Sequence, residues 1–346
     1  MSIESGFHLS DYDFDFPESL IADHPAEPRD SSRLLVLDRA AGAVEHAVFR
    51  DVGRWLKPGD LIVVNRSRVV PARILGRKST GGKVELLLVR EQEPGLWSAI
   101  ASGVKPGTRV LLEDGWSADV AQGQDGEWRC RFSGTDVQSY LAAHGQPPLP
   151  PYIAKRRRGL GAPVVSAAAS GRYQTVYARE EGSIAAPTAG LHFTAELLAR
   201  LEASGVRRAE VLLHVGPGTF RPVLADDVRR HRMLAEWYRM EPGLLAELRA
   251  ARERGSRVLA VGTTAARALE TWAETGMTEG STSLFITPGH RFRAFDAFLT
   301  NFHLPRSTPL LLASAFAGRE RLLAVYRDAI NRGYRLYSYG DAMLIL

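Results

Sequence analysis

The chain has 346 residues, 45% of them hydrophobic and 24% charged, which is enough apolar material for one large or two ordinary domains with a sizeable core. Its formal net charge of +5 permits a polyanionic partner without demanding one, and its single cysteine, Cys130, excludes an intrachain disulfide. The start MSIESGFHLSDYDF lacks the charged opening and apolar run of a secretory signal, and no apolar stretch reaches membrane-spanning length, so a cytoplasmic protein with no membrane partner is expected.

Taken in order, FPESLIADHPAEPRDSSR is polar and punctuated by proline, with too little periodicity for a long helix. Arg33–Asp38 and Val44–Phe49 read as strands around a turn at Ala40–Gly42, and Asp60–Asn65 as a further buried strand. Asp30, Ser31, Ser32 and Arg33 read as turn chemistry with a surface ion pair. From Val69 to about Phe132 the texture changes to short strand-like runs, PARILG, KVELLLV, LWSAIA, RVLLE and WRCRF, separated by TGG, KPG, EDG and GQDG. Such spacing predicts a small antiparallel barrel or sandwich at 66–150, inserted into a discontinuous α/β domain formed by 1–65 and 151–346.

Thr135–His144 reads as a short helix and PPLPPYI as a stiff connector. The segment 154–171, AKRRRGLGAPVVSAAASG, has low periodicity and reads as a mobile loop. Its run Lys155, Arg156, Arg157, Arg158 is a solvated charge cluster by default, and would steer phosphate if it lay beside a nucleic-acid site. Thr194–Ser204 has Leu197, Leu198 and Leu201 at helical spacing, with Thr194 as N-cap and Gly205 as the stop. Glu210–Val215 reads as a buried strand ending at His214, which places APTAGLHF and HVGPGTF at the ends of neighbouring elements.

Pro242–Arg254 is a predicted helix, and Arg257–Val261 a strand running into Gly262-Thr263-Thr264 and a helix through Trp272. That corner would point backbone N–H groups at an anion. AFLTNFHLP, the apolar LLLASAF, an amphipathic helix at Arg319–Asn331, and RLYSYGDAMLIL, with strand-like flanks around Gly340-Asp341, close the chain.

The Gly-x-Gly of HVGPGTF lacks the third glycine and the following helix of a dinucleotide fingerprint, and neither a Walker loop nor a nucleophile elbow is found. Without HExxH or paired Cys-x-x-Cys, no metal is expected, and Cys130 lies in a strand-like run unsuited to a nucleophile. What remains is a dispersed set of imidazoles, hydroxyls, carboxylates and arginines: Thr188, His192, His214, Thr219, Thr263, Thr264, Arg267, His303, Tyr339 and Asp341. It suits proton transfer and electrostatic stabilisation. His192, His214, Thr263, Arg267, His303 and Asp341 are expected to line one pocket of the large domain.

The stretches SIAAPTAGLHFT and LLHVGPGTFRPV, with DFDFPESLIADHPAEPRDSSRLLVLDR, RYQTVYARE, AVGTTAARALE, TNFHLPRSTPLLLASAFAG and YSYGDAMLI, occur in this order over nearly the whole chain. In them the chain resembles the S-adenosylmethionine:tRNA ribosyltransferase-isomerases of the queuosine pathway. The resemblance implies transfer and isomerisation of the ribosyl part of S-adenosylmethionine onto 7-aminomethyl-7-deazaguanine in tRNA. Epoxyqueuosine forms, and adenine and methionine leave. S-adenosylmethionine would be a co-substrate, with no other cofactor and no metal.

His192, His214, Thr188 and Asp341 would be catalytic. His192 or His214 would take the proton from the ribose carbon that the sulfonium acidifies. Asp30, Arg33, Asn65, Thr219, Thr263, Thr264, Arg267, Asn301, His303 and Tyr339 would bind substrate, Arg33 or Arg267 holding a carboxylate or phosphate. tRNA would lie between the two domains with Lys155–Arg158 on its backbone, on a monomeric protein.

Four features depart from the family pattern. Arg66 replaces a small acidic or amide residue, Leu234 a second histidine after HRM, and TPGHRF, with Thr287 and His290, a tyrosine-bearing YPGYRF. The segment 154–171 is basic and alanine-rich where an acidic stretch is expected. They leave two alternatives open: ribosyl transfer to a different, free deazapurine, or a non-catalytic RNA-binding relative.

Overall fold

The structure is a computed structural model that describes residues 4–123, 126–162, 171–220 and 222–346. Its contacts divide it into two compact units, residues up to Arg68 with Pro150–Leu346, and Val69–Leu149. The elements in chain order are β1 (Arg33–Leu37), β2 (Val44–Val48), β3 (Leu61–Asn65), β4 (Ser67–Val69), β5 (Arg73–Lys78), β6 (Lys83–Glu93), β7 (Leu96–Ser102), β8 (Thr108–Leu111), β9 (Ser117–Gln122) and β10 (Trp128–Phe132). Then come α1 (Val137–His144), α2 (Pro151–Gly159), β11 (Glu180–Ser183), α3 (Ala195–Ala203), β12 (Arg207–Leu213), β13 (Glu236–Met240), α4 (Pro242–Glu253), β14 (Val258–Val261) and α5 (Gly262–Thr275). β15 (Glu279–Thr282), β16 (Ala297–Asn301), α6 (Thr308–Ala317), α7 (Arg319–Asn331) and β17 (Ala342–Ile345) complete the chain.

The smaller unit is a closed antiparallel barrel in the order β10-β7-β6-β5-β8-β9. Alternation fills it: Val84, Leu86 and Leu88 of β6 are buried, as are Val110, Val120, Cys130 and Phe132. Burial pushes the Cys130 thiol up to about 12, so it stays protonated and inert.

The larger unit is built on a nine-stranded mixed sheet, β15-β13-β12-β3-β14-β16-β17-β1-β2. Four neighbours at its centre, β12, β3, β14 and β16, are mutually parallel. Both faces are buried: Leu61 and Val63 of β3 belong to one core, Ile62 and Val64 to the other. This is why these strands read as continuous apolar runs rather than as alternating ones.

Three expectations need correction. The end of the connector and the basic run after it are helical: α2 starts at Pro151 and carries Lys155–Arg158, while 147–150 stay outside it. The remainder of the expected loop, 163–170, lies outside the described residues. The strand expected at Glu210–Val215 runs Arg207–Leu213, so His214 sits just past its end, and only Ala342–Ile345 of the last stretch is a strand. The flank before Gly340 turns instead, with Tyr337 in the left-handed region at φ 75°. Strands β9, β13 and β15 and the short sheet of β4 with β11 had no counterpart in the sequence reading.

Candidate functional site

A cleft opens outside the carboxyl ends of β12, β14 and β16, the place where parallel α/β sheets bind ligands. Its wall at β12 is Val215 and Thr219, at β14 Gly262, Thr263 and Thr264, and at β16 Thr300, Asn301, Phe302 and His303. Thr188, Ala189, Tyr173, Tyr337 and Ser338 close it from other segments and Tyr152 from α2. Gly262 takes φ 82°, and the first turn of α5 has no side-chain cap. Its N–H groups are therefore available where the cleft begins. In the TAGLH turn, a methyl built on Gly190 would lie 1.9 Å from the Tyr177 hydroxyl, so only glycine lets this loop pack there.

The lining among the described residues contains no Lys, Arg, Asp or Glu. Its polar groups are hydroxyls, one amide and one imidazole. His303 is that imidazole: Nε2 lies 2.7 Å from the Thr300 hydroxyl, its backbone N–H donates to the Tyr326 hydroxyl at 2.8 Å, and burial lowers its pKa to about 3. It is therefore neutral at physiological pH.

Thr188, Thr219, Thr263, Thr264, Asn301 and His303 thus meet in one cleft. The other sequence-derived candidates do not. Arg267 lines an adjoining recess that shares Val215, Thr219, Thr263 and Thr264 with the cleft. There it is occupied: it donates to the Glu236 carboxylate and, at 3.0 Å, to the Leu284 carbonyl. His192 is buried behind the cleft against Phe49, with Nδ1 2.7 Å from the Ser32 hydroxyl and Nε2 3.1 Å from the Asn301 amide nitrogen. Burial, then Arg335 and Arg29, lower its pKa to about 3. Tyr339 shares a small cavity with it.

His214 stacks on Trp237 at 5.2 Å and meets the Ser67 hydroxyl at 3.1 Å, away from the cleft lining. Burial lowers its pKa. Asn65 bonds the backbone N–H and C=O of Leu213 and the N–H of Ser67, pinning the ends of β3 and β12 together. Asp341 accepts the backbone N–H groups of Arg33 at 3.0 Å and Arg335 at 2.7 Å, and burial raises its pKa. The Arg33 guanidinium caps the Tyr334 ring and donates to the Arg332 carbonyl, and Asp30 sits 4.0 Å from Arg50. These groups hold loops in place; they do not face the cleft.

The basic run is also divided. Arg157 is buried and donates to the Asp23 carbonyl, and Lys155 pairs with Glu18 at 3.4 Å while staying largely exposed. Arg158 is exposed, and Arg156 is half-buried.

The cleft residues missed from sequence were chiefly Tyr152, Tyr173, Tyr337 and Ser338. Tyr173, Tyr337 and Ser338 lie inside RYQTVYARE and YSYGDAMLI, so the signal was present; Tyr152 had none. Among the described residues no group of three or more His, Cys, Asp or Glu side chains is placed to hold a metal ion, and no helix is long and apolar enough to cross a membrane.

Three of the departures have local explanations. Arg66 donates to Glu241 at 2.7 Å and Glu180 at 3.1 Å, in a network completed by Arg239. His290 lies 3.1 Å from Glu270 and 3.7 Å from Glu274. Leu234 lies beside Gly218 of the HVGPGTF loop. None of the three is in the cleft lining.

A mixed α/β unit with a separate antiparallel barrel, and an uncharged hydroxyl-rich cleft at the ends of its parallel strands, defines an α/β ligand-binding protein with a barrel insertion. The family model "Queuosine biosynthesis protein" matches residues 9–345, and the chain belongs to that family. It is 53% identical over 350 residues to the S-adenosylmethionine:tRNA ribosyltransferase-isomerase of Anaeromyxobacter dehalogenans strain 2CP-C, covering 98% of this chain and 99% of that protein. With the enzyme of the same name from Moorella thermoacetica it is 48% identical over 358 residues, covering 98% and 99%. The crystal structure of S-adenosylmethionine tRNA ribosyltransferase from Thermotoga maritima matches 97% of this chain and all of that one, at 37% identity and a TM-score of 0.56.

Proposed function

We propose that this protein is an S-adenosylmethionine-dependent tRNA ribosyltransferase-isomerase. It transfers and isomerises the ribosyl moiety of S-adenosylmethionine onto 7-aminomethyl-7-deazaguanine at the tRNA wobble position, giving epoxyqueuosine, adenine and methionine. The observation that carries this reading is the convergence of five loop motifs, APTAGLHF, HVGPGTF, VGTT, TNFHLP and YSYGD, on one uncharged cleft. A sulfonium is a poorly hydrated cation, and the aromatic residues Tyr152, Tyr173, Phe302 and Tyr337 in the lining suit it without a carboxylate that would compete for the reaction. The uncapped first turn of α5 suits the methionine carboxylate.

His303 takes the place of His192 and His214 as the candidate proton acceptor because it is the imidazole in the lining; burial keeps it unprotonated but also makes it a weaker base than a free histidine. Thr188, Thr263, Thr264 and Thr219 supply hydroxyls for the ribose and the departing adenine. Lys155 and Arg158, at i and i+3 on α2, are the members of the basic run left to meet tRNA phosphate.

The test is chromatographic. Purified protein is incubated with S-adenosylmethionine and either tRNA carrying 7-aminomethyl-7-deazaguanine or the free base. Adenine and methionine released in equal amounts with the tRNA alone is the expected result. Turnover of the free base without tRNA would replace the acceptor, and tight tRNA binding without turnover of either would leave an RNA-binding protein.

A further inference from the structure

Three polar atoms of cleft-lining residues are buried with no partner in the protein: the Thr264 hydroxyl, the Tyr337 hydroxyl and the Asn301 carbonyl oxygen. A hydroxyl can rotate to donate or accept, but an amide oxygen only accepts. Asn301 is therefore the member of the set with a fixed demand, and at 2% exposure water has little access to it.

Its orientation is set from behind. The Asn301 amide nitrogen, which can only donate, lies 3.1 Å from His192 Nε2. That ring nitrogen must then carry the lone pair, and the imidazole proton sits on Nδ1, donated to the Ser32 hydroxyl at 2.7 Å. His192 is 4% exposed, and the Phe49 ring stacks on it at 5.0 Å, so the imidazole has no room to turn over. The relay joins three distant motifs: Ser32 of DSSR, His192 of TAGLH and Asn301 of TNFHLP.

We propose that Ser32 and His192 are positioning residues that hold the Asn301 amide with its carbonyl oxygen free for the cleft, and that this oxygen accepts a hydroxyl of the ribosyl group bound there. The assignment to ribose rests on the functional reading above. An acceptor that lines one cleft with two unpartnered hydroxyls, each able to donate or accept, matches a vicinal diol, whose oxygens both donate and accept.

The positioning part is tested on the ligand-free protein by long-range ¹⁵N–¹H correlation of its histidine rings, with His192→Gln identifying the signal. The expected result is an Nδ1–H tautomer. Ser32→Ala, a small change, should admit the Nε2–H form, and Asn301→Asp should convert the ring to it. A wild-type ring carrying its proton on Nε2, or on both nitrogens near pH 7, would overturn the proposal.

The ligand part uses S-adenosylhomocysteine and its 2′-deoxy and 3′-deoxy analogues in calorimetry. One of the two analogues should bind the wild type about tenfold more weakly than the parent, a loss typical of a buried acceptor left unpaired. Asn301→Ala should no longer distinguish that analogue from the parent, while Asn301→Asp, which keeps an acceptor oxygen, should. Equal discrimination by the wild type and Asn301→Ala would overturn the assignment to ribose. If S-adenosylhomocysteine, which lacks the sulfonium, does not bind the wild type, the ribose assignment falls and the tautomer alone decides the positioning role, while the functional reading is decided separately by release of adenine and methionine from S-adenosylmethionine.

Discussion

Glu236 and Arg267 form a buried ion pair beside the cleft, the guanidinium also donating to the Leu284 carbonyl at 3.0 Å and the carboxylate accepting the Gly216 N–H at 2.8 Å. The pair ties the start of β13 to α5 and to the HVGPGTF loop. Both side chains are under 10% exposed, so removing either partner strands a charge away from water. Arg267→Met should cost about 3–5 kcal/mol in urea unfolding, while replacing both partners by apolar residues should cost less. A single-substitution cost below about 1 kcal/mol would mean that water reaches the pair.

His192 gives the protein an acid-side instability. Its folded pKa of about 3 lies below the ordinary histidine value of 6.5. Between those values the unfolded chain binds a proton that the folded chain refuses. Its contribution is therefore complete above about pH 6.5 and is lost as pH falls, at about 1.4 kcal/mol per pH unit. Urea titrations of wild type and His192→Gln between pH 4.5 and 7.5 should differ by that slope below about pH 6.5 and run parallel above it.

Gly190→Ala should destabilise the protein by about 1–3 kcal/mol, because the added methyl must displace the Tyr177 hydroxyl or move the TAGLH turn that carries Thr188 into the cleft. Thermal unfolding measures it, and Tyr177→Phe in the same chain should recover part of the loss. No recovery would place the strain elsewhere in the turn.

The architecture was legible because its signals are local. β3 and β14 read as short apolar runs, the barrel strands as brief segments between glycine turns, and α3 begins at Thr194, whose hydroxyl does accept the Leu197 N–H at 3.0 Å. The cleft was half legible. Motifs named the loops, but which side of each loop faces the ligand depends on pairings across the chain. His214 is turned aside by Trp237 of the neighbouring strand, Asp341 is consumed by two backbone N–H groups, and Arg267 is claimed by Glu236. Helix α2 was hidden because Pro147–Pro151 reads as an extended stretch until the last proline is seen to open a helix. Nothing in four adjacent basic residues says that Arg157 will be buried on the Asp23 carbonyl.

That division of the basic run has a measurable consequence. If α2 contacts tRNA, Lys155→Ala and Arg158→Ala should each lower the slope of log affinity against log salt by about 0.7 to 0.9, without changing stability. Arg157→Ala should instead destabilise the fold and leave the slope unchanged once folded protein is selected. Unchanged slopes for Lys155 and Arg158 would return α2 to an ordinary solvated face.

The central claim is that the cleft outside β12, β14 and β16 holds the ribosyl donor. The most direct measurement is a crystal structure of the protein with S-adenosylmethionine bound. The account predicts density within hydrogen-bonding distance of Thr264 and Asn301, with the sulfonium among the tyrosine rings and His303 facing the ribose carbon next to it. A nucleoside bound instead at His214, or beside Arg33 and Asp341, would contradict it.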